Sequence, residues 1–421
     1  MIKAKKSGVW LIIFLGWLMY TTSYLGKVNY SANINEIISF YGVTKAEAGT
    51  VPTFFFFAYG IGQVVNGILC KRYSMKWMIF ASLMTSAIIN FTIGVTASFA
   101  IIKWLWMING FAMSVLWPTL IRLLSESLPQ KSLGTSSVII GTTVASGTLI
   151  IYALSSIYAA IDRFKLAFFT AAAAASVVAI IWVLLFNKAR SMSMSEMTDE
   201  DIAAVDNKKT YSKIQQKAGE KKTFFMMVYM ICFIAIGVNL IKDGLTTWVP
   251  TILKEEYAVS SSLSILLTLV LPIVSIFGNA CAVAVHKKIP DYITHCAIIF
   301  AIMGAIMYVI IGALSWQTII ILLASMMLVA FLASSLNSLI TSVFPMFMRG
   351  KVNSGLYAGI LNGFCYLGST VSSYGLGFVA DHYGWMAVFV ILMYFCCAVC
   401  LIWVIYSILK HRFSKIDAPI K

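Results

Sequence analysis

A chain of 421 residues that is 60% hydrophobic and only 11% charged has too few polar groups for a water-soluble globule, in which about a quarter of residues are charged. Its mean hydropathy of +0.89 makes lipid the solvent for most of its length; at roughly 20 residues per spanning helix, twelve spans use nearly all of these residues and leave no room among them for a soluble catalytic domain. The formal net charge of +15 requires no nucleic-acid partner, because a positive face against anionic lipid accounts for it.

In chain order, the predicted spans begin near Val9, Thr50, Trp77, Ile101, Ser136, Leu166, Thr223, Ser262, Ile293, Thr318, Ser354 and Met386, each running for about twenty residues or more. Apolar runs this long and uniform are helices; barrel strands would alternate over about ten residues. Lys3, Lys5 and Lys6 ahead of the first run resemble the start of a signal peptide. Eleven further spans follow and no small-residue cleavage site precedes Lys27, so an uncleaved first helix is expected. The polar stretch from Asn187 to Lys222 carries an acidic run (Glu196, Asp199, Glu200, Asp201) and then a basic one ending at Lys221 and Lys222. It reads as a cytoplasmic linker over 187–222 between a six-helix half at 1–186 and another at 223–421.

Basic residues fall unevenly on the two sides of these spans. Lys3, Lys5, Lys6, Lys71, Arg72, Lys76, Arg122, Lys131, eight in the linker, Lys287, Lys288, Arg349, Lys351 and four in the tail lie on one side, 24 of the 31. Lys45, Lys103, Arg163, Lys165 and Lys254 lie on the other. By the positive-inside rule both termini are cytoplasmic and the membrane is the inner, plasma membrane. The eight cysteines, Cys396, Cys397 and Cys400 among them, are scattered through apolar runs without accompanying His or carboxylate clusters, so no disulfide framework, metal or cofactor is expected. With no nucleophile or phosphate-loop constellation either, an enzyme is not expected. His295, within a span, reads as a packing or hydrogen-bonding residue.

The halves read as repeats. Adding 216 to a position in the first carries Gly62-Gln63 onto Gly278-Asn279, Lys71-Arg72 onto Lys287-Lys288, Pro129 onto Pro345 and Gly134 onto Gly350, and brings Lys27 within one residue of Lys242. A parallel duplication of six helices is the arrangement of a transporter whose halves rock about a central site.

Local motifs then carry a family resemblance. Gly67-x-Leu69-x-Lys71-Arg72-x-Ser74-x-Lys76 resembles the second-to-third loop signature of the major facilitator superfamily, with Lys71 in place of the usual acidic residue and Ser74 in place of the second Gly. Gly377-Phe-Val-Ala-Asp381-His-Tyr-Gly384-Trp385 is similar to the sequence that often closes its eleventh span. Within that superfamily, Tyr24-Leu-Gly-Lys27-Val-Asn29-Tyr30, Trp117-Pro118 and Leu240-Ile-Lys242-Asp243-Gly244-Leu-Thr-Thr-Trp248-Val-Pro250 resemble the organophosphate:phosphate antiporters, which include glycerol-3-phosphate and hexose-phosphate transporters. The resemblance implies an all-α integral membrane fold, twelve transmembrane helices in two pseudo-symmetric six-helix halves, with Gly67, Lys71 and Arg72 in a loop that switches with conformation. It also implies that the positions of Lys27 and Lys242, arginines in that family, grip the substrate anion, one from each half. The family's histidine in the fifth span has no counterpart near Val144. Arg offers a planar fork to phosphate and Lys a compact point charge, so the exchange relaxes the geometric demand for phosphate and admits carboxylates or phosphonates.

Each lysine lies about 18 or 19 residues into its span, roughly 27 Å from one end, from where it could also snorkel to the interface. Against that, Tyr20, Tyr24 and Lys27 share one helical face, as do Asn239, Lys242 and Thr246. A lysine at the bilayer centre costs roughly 2.5–3.5 kcal/mol, so a pair at matched depth is expected to face water, a counter-ion or a substrate. Asp243, about 100° around the helix from Lys242, is either a proton-coupling group or an ion-pair partner. Tyr357 and Asn362 are nominated as cavity-lining because the eleventh span lines the cavity in the fold that the chain resembles. Asn66, Asn109, Asn337 and Tyr366 fit helix contacts equally well, and Phe54–Phe57 reads as packing or lipid-facing.

The expected function is alternating-access transport of small organic anions, organophosphates exchanged for inorganic phosphate, by a monomer in the lipid bilayer. A proton-coupled symporter of sugar acids or other carboxylates is the alternative; Lys242 has no regular counterpart in that sister family. A transporter-like ligand sensor is the second alternative, and the linker and tail hold no recognisable signalling module.

Overall fold

The computed structural model describes residues 7–69, 73–199, 218–289, 291–344 and 354–416, and every regular element among them is a helix. The first three spans are Ser7–Ala32, Lys45–Leu69 and Met75–Val95, the fourth is Phe99–Met113 with Leu116–Ser127, the fifth Gln130–Gly141 with Thr143–Ala160, and the sixth Leu166–Met194. The seventh to tenth are Ala218–Tyr257, Ser261–Thr268 with Val270–Lys288, Tyr292–Ser315, and Ile319–Ser338 with a π turn at Leu339–Val343. Eleven stretches among the described residues are long and apolar enough to cross a membrane. The last, Ile360–Ile408, has 49 residues, about 74 Å of helix and more than twice a bilayer core of about 30 Å. Within the helix Ser354–Ile416 that contains it, Gly384 takes φ 77° and ψ 171°, open to glycine but not to side-chain-bearing residues, and divides the eleventh span from the twelfth. The chain is a multi-pass membrane protein of twelve spans, and Ser7 and Ile416 therefore lie at one end of the bundle; the opposite end is called distal below.

Three spans predicted as continuous are broken, each for a local reason. Pro118 and Pro272 have no N–H for the carbonyls four residues earlier, and the fourth and eighth spans break at Ser114–Val115 and Leu269. In the fifth, Thr142 and Thr143 turn their hydroxyls back onto the Ile139 and Ile140 carbonyls at 2.7 and 2.6 Å, which bends a helix. The second span begins at Lys45 rather than near Thr50, because Thr44 and Glu47 form a reciprocal cap: the Thr44 amide donates to Glu47 Oε2 at 2.8 Å and the Glu47 amide to Thr44 Oγ1 at 3.1 Å. A short helix not expected from the sequence, Ile34–Tyr41, precedes it and ends on Gly42 at φ 63°.

The repeat is visible in which helices touch. Lys45 shifted by 216 falls on Ser261, where the eighth span begins, and Met75 falls on 291, one residue before the ninth. Gly62 packs against Ser114 of the fourth span, and Gly278 against Phe331 and Ser334 of the tenth. Gly147 of the fifth span abuts the Thr21 carbonyl of the first, and Gly368 of the eleventh abuts the Ile236 carbonyl of the seventh. Small residues at these points let backbones meet where lipid supplies no hydrophobic drive for helix association.

At the distal end the first six spans are clasped to the last six. Lys45 Nζ lies 2.9 Å from Glu255 and 3.8 Å from Asp381. Asp381 also accepts from the Lys45 and Ala46 amides at 3.2 and 2.6 Å, capping the second span from across the interface. Trp385 Nε1 donates to Glu255 at 2.7 Å, and Ser156 to the Ser262 carbonyl at 2.8 Å. The Gly377–Trp385 motif thus supplies the turn and two of the clasp's side chains. Glu36, on the short helix, has Oε2 buried without a hydrogen-bond partner. Burial pushes its carboxyl up from the usual range, offset by its own amide, Ser261 and Lys254 and reinforced by Asp162.

Two outcomes follow for stability. A methyl group on Gly368 would fall on the Ile236 backbone, whereas one on Gly363 meets only Val64, at 4.0 Å. Gly368→Ala is therefore expected to lower the melting temperature in detergent, by the equivalent of about 1–3 kcal/mol, and Gly363→Ala to leave it unchanged. Because the folded state raises the Glu36 pKa, its protonated form stabilises the fold at low pH, and that contribution is lost as pH rises through the raised value. Glu36→Gln should melt above the parent chain at alkaline pH and level with it in acid; a constant difference across the titration would place the effect elsewhere.

Candidate functional site

Lys27 sits where the first span meets the second and the eleventh. Its ammonium donates to the Tyr366 hydroxyl at 3.3 Å. Ring centroids of Tyr59, Tyr24, Tyr366 and Phe55 lie 4.4, 5.0, 5.1 and 5.9 Å from it. Contacts of this kind are worth roughly 0.5–2 kcal/mol each. Among the described residues no carboxylate is in ion-pair contact with Lys27, so ring faces are its counterpart. Tyr59 and Tyr366 come from opposite halves, with centroids 4.5 Å apart. Tyr20 packs on Tyr24 at 5.6 Å and on Trp117 at 5.0 Å, and extends this aromatic wall to the fourth span. The Phe54–Phe57 run divides: Phe57 is exposed, whereas buried Phe55 stacks on Tyr59 at 5.7 Å and belongs to the wall. Phe56 touches Tyr366 on one side and lines a groove of about 310 Å³ between the second and eleventh spans on the other.

Lys242 is surrounded differently. Its ammonium lies 3.3 Å from Asp243 Oδ1, with the two side chains 31% and 17% exposed. Asp243 Oδ2 accepts a short hydrogen bond from Ser369 Oγ and a longer one, 3.5 Å, from Asn239 Nδ2. Asn337 of the tenth span donates to Asn239 Oδ1 at 2.6 Å and so orients that amide. Thr246, on the same face as Lys242, donates back to the Lys242 carbonyl at 3.0 Å. Lys27 is within electrostatic reach of both Lys242 and Asp243. The interface therefore brings together a caged ammonium from the first span and an ion-paired one from the seventh.

Of the other residues singled out in the sequence, Tyr20, Tyr24 and Asn239 lie in these two clusters. Asn362 does not: it donates to Gln63 Oε1 at 3.5 Å, a contact between halves one turn away from Tyr366. Gly67 lies in the last turn of the second-span helix rather than in the loop, and the side chain of Tyr357 and the residues Lys71 and Arg72 lie outside what the structure describes. Tyr59, Tyr366, Ser369 and Asn337 were not nominated.

Residues 16–356 match the Major Facilitator Superfamily. The chain belongs to that superfamily. Among relatives in it, a probable hexose phosphate transport protein of Chlamydia pneumoniae is 25% identical over 136 residues, 31% of this chain and only 29% of that protein. A probable hexose phosphate transport protein of Chlamydia muridarum is 20% identical over 411 residues, 90% of this chain and 86% of its own length. The solved structure of a bacterial homolog of the human lysosomal transporter Spinster, inward-facing and occupied, shares the fold with a TM-score of 0.73 at 12% identity, covering 94% of this chain and 96% of that one. The chain is thus a transporter of the major facilitator type and not an enzyme.

In a major facilitator protein a charge in the interior serves either architecture or ligand, and substitution of Lys27 separates the two. Lys27→Met removes a partly buried charge that has no anionic partner among the described residues and leaves an apolar chain among rings. The variant should melt at or above the parent temperature in detergent. A large drop would mean that the ammonium holds the spans together.

Proposed function

We propose that this transporter carries small organic anions, organophosphates exchanged for inorganic phosphate, by alternating access, with Lys27 and Lys242 as the anion's two cationic partners. The observation that carries the reading is the approach of these ammonium groups, one from each half, at matched points of the repeat. Two ammonium groups brought near one another in a low-dielectric interior repel, and an anion between them relieves that repulsion. Tyr20, Tyr24, Asn239 and the rings of Tyr59 and Tyr366 would border the anion's organic part. The likeness to proteins named for hexose phosphate supports a phosphorylated substrate.

The lysine-rich side would face the cytoplasm with both termini, which puts the clasp of Lys45, Glu255 and Asp381 at the outer end. Access would alternate by breaking that clasp while the opposite end closes. The division into halves at 1–186 and 223–421 follows the same reading, as does function as a monomer.

Replacing Lys27 or Lys242 by Gln should lower exchange in proteoliposomes at least about tenfold, because an anion left in the interior without its cation keeps most of its desolvation penalty. Replacing both by Arg should preserve phosphate compounds better than carboxylates, since the guanidinium fork matches phosphate oxygens. Gln variants that exchange labelled phosphate at the parent rate would remove the lysines from the site, and a parent chain that binds anions without counterflow would be a sensor.

A further inference from the structure

We infer that Asp243 fixes the charge of the substrate: as a built-in counter-anion it leaves the site one net positive charge and selects singly charged anions, whether monoanionic phosphate, phosphonate, sulfonate or carboxylate. The inference rests on the reading of Lys27 and Lys242 as the anion's partners. With Lys27 in its ammonium form, two ammonium groups less one carboxylate leave a single positive charge at the interface.

The carboxylate is a fixture rather than a loose ion that a substrate displaces. Oδ1 holds Lys242 at 3.3 Å, and Oδ2 is held from the eleventh span by Ser369 and from its own helix by Asn239 at 3.5 Å. Asn337 anchors Asn239 in turn, at 2.6 Å. All of these partners belong to the last six spans, so the assembly travels as a unit when the halves move. Among the described residues Lys27, across the interface, has only ring faces and one hydroxyl as partners, so the unbalanced charge is its own. Among the described residues, the titratable groups facing Asp243 are Lys242 on its helix, Lys27 and Tyr24 on the first span, and Cys365 and Tyr366 on the eleventh. None adds a further fixed cation.

A monoanion brings this site to neutrality. A dianion leaves one negative charge uncompensated among apolar helices, where an unpaired charge is far more costly than in water. Phosphate compounds would therefore enter in their singly ionised form, each carrying one proton with it, and their apparent affinity would fall as pH rises through the second phosphate ionisation.

The test uses the purified full chain and probes whose charge is known. Binding of methanesulfonate, always a monoanion, sulfate, always a dianion, and inorganic phosphate is measured by thermal shift and by competition with labelled phosphate counterflow, at about pH 6 and about pH 8, either side of the phosphate ionisation. The parent chain should prefer methanesulfonate to sulfate, and its affinity for phosphate relative to methanesulfonate should fall by about tenfold between the two pH values. Asp243→Asn should raise sulfate relative to methanesulfonate by about tenfold or more and remove the phosphate dependence on pH. Sulfate bound as well as methanesulfonate by the parent chain, or an unchanged ratio in Asp243→Asn, would overturn the inference while leaving the anion site in place. If the variant does not fold, the comparison in the parent chain decides alone. No binding or exchange of any of the three anions would overturn both readings together.

Discussion

A lysine ammonium within a membrane span must be kept from lipid, and two of them must be kept from each other. Much of the polar structure of this protein follows from that constraint. Each half meets it differently. Lys27 is surrounded by π faces, those of Tyr24, Phe55 and Tyr59 from the first six spans and that of Tyr366 from the eleventh, which attract a cation without neutralising it. The last six spans pair Lys242 with Asp243 and satisfy the second carboxylate oxygen through Ser369 and Asn239. A half-satisfied polar cluster in this setting is worse than an apolar one, which explains why the chain of contacts runs on to Asn337 rather than ending at the carboxylate.

The twelve spans were legible because lipid imposes one length and one composition on every helix, and the 216-residue offset was legible because duplicated helices keep their mutual contacts. Gly62 and Gly278 show why: each permits the same pair of spans to close in its own half. The breaks were in the sequence but below the resolution of hydropathy, since Pro118 and Pro272 act on one carbonyl each and Thr142 and Thr143 on two. The capping pair Thr44 and Glu47 was equally present, and a reading of apolar runs alone placed that helix start five residues late.

The neighbourhood of the lysines was only half legible. Helical spacing puts Tyr24 with Lys27 and Asn239 with Asp243, because those relations are internal to one helix. Tyr366 could not be singled out in that way. It shares a face of the eleventh span with Asn362 and Ser369, and nothing along that helix distinguishes a tyrosine that reaches Lys27 from one that packs. Only the register between the second and eleventh spans, set by contacts far apart in sequence, brings Tyr366 onto Tyr59 and both onto the ammonium.

That register also bears on how binding and motion would be linked. The second and eleventh spans run antiparallel and meet at successive points: Lys45 on Asp381, Thr53 on the Thr370 carbonyl at 3.1 Å, Tyr59 on Tyr366, and Gln63 on Asn362. Gly49 and Gly60 bring the backbones close between these points. A seam of this kind does not separate along its whole length at once, because every contact would be lost before any new one formed. If the halves rock, the seam opens from one end and closes at the other, and its middle changes least. Tyr59 and Tyr366 are that middle, and both face Lys27. An anion that drew the ammonium away from the Tyr366 hydroxyl would act at the pivot, where one small displacement biases both ends of the seam in opposite directions. The distal clasp needs no direct contact with the substrate for its stability to depend on whether the site is filled.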